Sequence, residues 1–115
     1  MVSERFMAKD RNMQDLDRDA VEQRIQAIEI NQSALDNRKW FKRLSKTEIS
    51  EVRLKTGGKQ VRIHGCKHGN DVVTFNGYVK KNGSDAAMIA EAESLKKDWE
   101  DGKLKTREIP NAYRL

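Results

Sequence analysis

One cysteine and one proline stand in 115 residues. A single cysteine excludes an intramolecular disulfide framework, and with it the small secreted scaffolds that depend on one. No apolar run approaches the roughly 18 residues that a membrane span requires. The opening stretch, MVSERFMAKDRNM, lacks the apolar centre of a signal peptide. A reducing, cytoplasmic setting is therefore expected. No Walker loop, dinucleotide fingerprint, nucleophile elbow or zincin motif occurs. Apolar residues make up only 37% of the chain, which permits a modest core but not a large enzyme cleft. The sequence thus predicts a protein that is not an enzyme and uses no cofactor.

Charge is abundant and unevenly placed. The chain holds 23 basic and 18 acidic residues, a formal +5. Residues 1–36 carry 5 basic and 8 acidic side chains, residues 37–84 carry 12 and 3, and residues 85–115 carry 6 and 7. The middle segment alone is +9. A focused positive field attracts polyanions such as nucleic acid or an anionic membrane, the alternative being a solvated basic face with no partner.

Within that segment, Ile49 to Lys81 alternates as strands do. Thr56-Gly57-Gly58-Lys59 and Lys67-His68-Gly69-Asn70-Asp71 are turn signals between β-branched runs. Successive strand side chains point to opposite faces. Val52, Leu54, Val61, Ile63, Val73, Phe75 and Val79 share one face. Glu51, Arg53, Lys55, Gln60, Arg62, His64, Thr74, Asn76, Tyr78 and Lys80 share the other. The second set is rich in cations and hydrogen-bonding groups, beyond what a solvated sheet face requires.

Helices are expected on both sides of this sheet in sequence. Val21, Ile25, Ile28, Gln32 and Leu35 fall at heptad-like steps within a helix predicted over residues 15–46. That stripe packs within the protein, or docks a protein partner or a second copy through Val21, Ile25, Ile28 and Leu35. The helix ends in Asn37 to Lys46, where Arg38, Lys39, Lys42 and Arg43 surround Trp40, Phe41 and Leu44. Phosphate contact suits these cations, while the aromatics finish the apolar stripe. Ser45 to Glu48 has capping-box spacing, so a short helix over 46–51 is an alternative to the start of the first strand. Met88, Ala92, Leu95 and Trp99 form one stripe of a second helix, stopped at Gly102 and expected to cover the apolar sheet face. Residues 1–14 and 103–115 read as tails.

Other chemistry is thinly supported. His64, Cys66 and His68 alternate as H-x-C-x-H, but no fourth zinc ligand accompanies them. Cys66 beside either histidine lacks a pocket for nucleophilic work. No metal is expected.

Three short antiparallel strands followed by an amphipathic helix resemble the AP2-type and tyrosine-integrase amino-terminal DNA-binding domains. EVRL-KTGGK-QVRI resembles their first hairpin, and GSDAAMIAEAESLKKDW their alanine-rich helix. The resemblance implies a sheet lying in the DNA major groove, with Arg53, Lys55, Arg62, His64, Asn76, Tyr78 and Lys80 reading bases and backbone. The order helix, three strands, helix is also that of double-stranded-RNA-binding domains.

The expected fold is α+β: an N-terminal helix, then over residues 47–102 a three-stranded antiparallel sheet with a C-terminal helix packed on one sheet face. The expected function is nucleic-acid binding, duplex DNA preferred, in a small phage or mobile-element regulatory or accessory protein. A protein-binding module, such as a small inhibitor of a host protein, is the alternative. No membrane partner is expected.

Overall fold

β-Branched residues in alternation build the strands, and glycine builds the tightest turn. The computed structural model describes residues 2–3, 18–30, 41–69, 71–80 and 85–107. In chain order the elements are Val2–Ser3 (β1), Arg18–Ile30 (α1), Phe41–Arg43 (β2), Ser50–Thr56 (β3), Lys59–His68 (β4), Asp71–Val79 (β5), Ala86–Glu100 (α2) and Thr106–Arg107 (β6). Among these described residues no helix is long and apolar enough to cross a membrane.

The class is α+β, with two helices and a larger sheet than the three strands expected. β2, β3, β4 and β5 pair antiparallel in sequence order. β1 then adds parallel to β5, and β6 adds antiparallel to β1. Between β3 and β4, Thr56 faces Lys59 across a two-residue turn. Gly57 and Gly58 take φ of +56° and +74°, the pair of left-handed conformations that a type I′ turn demands.

The fourth strand comes from residues expected to end the first helix. Phe41 pairs with Val52, Lys42 with Glu51 and Arg43 with Ser50. The reason lies in where the apolar groups go. On a helix, Phe41 and Leu44 would share one side. Here Phe41 joins the core under α1, while Leu44 leans on the core under α2. The residues between the two strands form a loop, not a helix over 46–51. Leu44 N–H donates to the Ile49 carbonyl, and the Thr47 hydroxyl donates to the Leu44 carbonyl and accepts from Ile49 N–H. The rest of the predicted helix end, 31–40, lies outside the described residues.

Two cores flank the sheet. On one side Val21, Ile25 and Ile28 of α1 meet Phe41, Val52, Leu54, Val61, Ile63 and Val72. On the other, Ala92 and Leu95 of α2 meet Ile49, Cys66, Val73 and Phe75, with Leu44, Trp99 and Leu104 at the margin. The apolar face expected to lie under one helix is thus divided between two. A bulge divides it. His64 pairs with Asn76, but the next residue, Gly65, pairs with Thr74, so Phe75 is the extra residue on β5. An extra residue resets the alternation. Val73 and Phe75 are thereby turned toward α2, away from Val61 and Ile63.

This arrangement corrects one expectation about partners. Val21, Ile25 and Ile28 have no exposed surface. They are core of this domain and offer nothing to a docking protein or second copy. Leu35 lies outside the described residues.

Candidate nucleic-acid interface

The polar side of the sheet is organised in cross-strand rows. Lys42, Glu51, His64 and Asn76 are successive partners across β2 to β5. Arg53, Arg62 and Tyr78 form the next row. Lys55 pairs with Gln60, whose carbonyl accepts from Lys80 N–H, giving the third. Alternation turns Lys42, Arg53, Lys55, Arg62 and Lys80 to a single face. The face is the one that α2 partly covers.

Burial divides the side chains of this face. Lys42, Arg53 and Lys55 are exposed, and Arg62 and Lys80 half-buried. His64, Asn76 and Tyr78, expected to touch nucleic acid, are only 0%, 0% and 2% exposed. They cannot meet a ligand in this conformation. Asn76 instead fixes α2, its amide donating to the Met88 carbonyl at 3.0 Å and to Glu91 Oε1 at 3.3 Å. Tyr78 presents its ring to His64, centroids 5.5 Å apart in an edge contact. Burial, and then the Asp85 carboxylate, push its phenol upward. Among the described residues its hydroxyl, His64 Nδ1 and Asn76 Oδ1 have no hydrogen-bond partner. Lys80 pairs with Asp85 at the start of α2.

Glu51 is the residue that sequence reasoning passed over. It sits at the centre of the rows, 3% exposed. Its Oε2 lies 3.2 Å from His64 Nε2, and its Oε1 accepts from Arg53 Nε at 2.8 Å. Arg62 Nε stands 3.6 Å from the same Oε1. Burial by itself would raise the Glu51 carboxyl. The hydrogen bonds from His64 and Arg53, together with the Arg53 charge, overcome it and hold the group at about 2. The available signal was one of only three carboxylates in the most basic stretch of the chain, two residues from Arg53 and so on the same strand face.

The remaining site residues divide simply. Arg43 is exposed, and its Nε donates to the Thr47 carbonyl. Arg38 and Lys39 lie outside the described residues. Cys66 is buried under α2, where desolvation raises its thiol. His68 turns edge-on to Trp99 at 5.2 Å. An open cleft of about 430 Å³ lies between the β2–β3 loop and α2, lined by both signs of charge from Arg43, Lys46, Glu48, Glu93, Lys96 and Glu100. At its rim Lys46 holds a left-handed φ of +63°.

Three exposed cations, Lys42, Arg53 and Lys55, with the half-buried Arg62 and Lys80 beside them, make this face positive. No family model matches the chain, and neither curated proteins nor solved structures provide a match.

Proposed function

We propose that this protein binds duplex DNA through the exposed cations Lys42, Arg53 and Lys55, supported by the half-buried Arg62 and Lys80 beside them. The observation that carries this reading is that Arg53 lies directly opposite Arg62. Like charges facing each other on neighbouring strands destabilise a sheet. Here one buried carboxylate stands against both guanidinium groups, and Lys42 and Lys55 extend the same strip without a paired acid among the described residues. A field of this kind suits a polyanion. Duplex DNA is favoured over duplex RNA because the B-form major groove admits a two-stranded β-ribbon, whereas that of A-form RNA is deep and narrow. Only the outer end of the β3–β4 hairpin, from Lys55 to Gln60 around the Gly57–Gly58 turn, projects beyond the flanking strands and presents such a ribbon.

A salt-titrated mobility shift on a short duplex tests this. Each phosphate neutralised contributes about 0.9 to the slope of log affinity against log salt. The triple substitution Lys42→Ala, Arg53→Ala, Lys55→Ala should lower the slope by about 2 to 3 and weaken binding at every salt concentration. An unchanged slope and affinity would refute the proposal.

A further inference from the structure

Two arginines converge on one buried oxygen, and both approach it through Nε. Arg53 Nε is 2.8 Å from Glu51 Oε1, and Arg62 Nε is 3.6 Å from the same atom. Guanidinium is planar, so fixing Nε fixes the direction of the two terminal nitrogens. No described residue accepts from the terminal nitrogens of Arg53. Those of Arg62, whose side chain is 16% exposed, donate to the Val61 carbonyl at 3.3 Å and to Gln60 Oε1 at 3.5 Å, contacts that a phosphate would have to share or displace. The Arg53 backbone is itself pinned, its carbonyl accepting from Arg24 Nη1 of α1 at 3.2 Å. Glu51 is pinned from behind by His64, which has no exposed surface. The Arg53 side chain, by contrast, remains 43% exposed.

We infer that Arg53 and Arg62 form a preset fork for a single phosphodiester oxyanion of the DNA backbone, with Glu51 as the positioning residue that aims it. The fork presupposes duplex binding and adds to it a contact by shape as well as charge. A fork held in place loses little side-chain freedom on binding, and paired N–H donors match the oxygens of a phosphate. The contact reads backbone, so its energy is the same on every sequence. Glu51 carries a negative charge in the middle of an anion-binding strip. Charge alone makes it a liability, and orientation makes it an asset.

Two conservative substitutions separate these effects. Glu51→Gln removes the negative charge, so electrostatics alone predicts tighter binding to duplex DNA. The fork predicts binding weaker by roughly tenfold, because Arg53 loses its charged anchor. Arg53→Lys keeps the charge at an exposed position that does not threaten folding. The fork predicts a similar roughly tenfold loss with the salt slope unchanged. Mobility shifts on duplexes of several unrelated sequences, with circular dichroism to verify the fold of each variant, read all of this. Should Glu51→Gln fail to fold, Arg53→Lys decides alone. Wild-type affinity in Arg53→Lys, or tighter binding in folded Glu51→Gln, overturns the fork and leaves duplex binding standing. A loss confined to some sequences overturns the phosphate assignment in favour of a guanine edge. Failure of the wild-type protein to bind any duplex overturns the proposed function and the fork with it.

Discussion

Replacing Gly65 with alanine is the sharpest test of how this sheet is built. A Cβ at that position would lie 2.3 Å from the Val73 carbonyl oxygen and 3.1 Å from Thr74 Cα. Even close Cα–H···O contacts keep carbon and oxygen about 3.3 Å apart. About 1 Å of displacement is therefore needed. The obstructing atoms are backbone of the neighbouring strand, so no side chain can rotate away. Overpacking of this kind costs about 1 to 3 kcal/mol, and weakening one ladder hydrogen bond adds about 1 kcal/mol. A loss of about 3 kcal/mol follows, equivalent to roughly 12–20 °C in melting temperature for a domain of this size. The damage should be local as well as global. Gly65 borders the bulge that turns Phe75 toward α2, and Phe75 lies 6.0 Å from Trp99. Urea unfolding followed by circular dichroism measures the first effect, and native tryptophan fluorescence the second. Gly58→Ala is the control. It meets nothing within 4 Å and suffers only from its φ of +74°, a cost of about 1 kcal/mol. A Gly65→Ala protein within about 0.5 kcal/mol of wild type, or one more stable than Gly58→Ala, would show that the strands do not approach as described.

Three further outcomes are expected. The folded Glu51 carboxyl sits at about 2, below its ordinary 4.5, so its contribution to stability is complete above the ordinary value and disappears as pH falls from about 4.5 to about 2. That contribution is at most about 3 kcal/mol, and Glu51→Gln should flatten this limb of the stability–pH curve; an unchanged limb would place the acid sensitivity elsewhere. Ile25→Ala and Leu95→Ala remove side chains from the two separate cores, so each should cost about 2 to 4 kcal/mol and the double variant the sum, measured by denaturant midpoint; strong non-additivity would mean that the cores communicate. Cys66, buried and with its thiol pushed upward, should resist iodoacetamide in the native protein and react once urea unfolds it; rapid native labelling would contradict its burial.

Local features were legible because local chemistry decides them. Gly57–Gly58 can do little between two β-branched runs but turn them, and the stripe Met88, Ala92, Leu95, Trp99 delivers Ala92 and Leu95 to a core. Two misreadings came from non-local causes. Alternation counts polar residues as solvated, yet a sheet with a helix on each side buries them, and His64, Asn76 and Glu51 become a hydrogen-bonded layer. Alternation also assumes an unbroken register, which one extra residue at Phe75 overturns. Phe41 and Leu44 fit a helix by spacing, and only the presence of both cores explains why they take opposite sides of a hairpin. Arg53, Lys55 and Arg62 share a face as alternation expects, because β3 and the first half of β4 precede the bulge.

The outermost ladder has a bearing on how the chain reaches this state. Val2–Ser3 pairs with Thr106–Arg107, and Arg107 bonds back to Glu22 of α1. Joining segments so remote in sequence demands the largest loop closure among the described strand pairs, so this seam should zip late in folding and be the first to exchange its amide hydrogens. A ribosome must have released nearly all of these residues before it can shut.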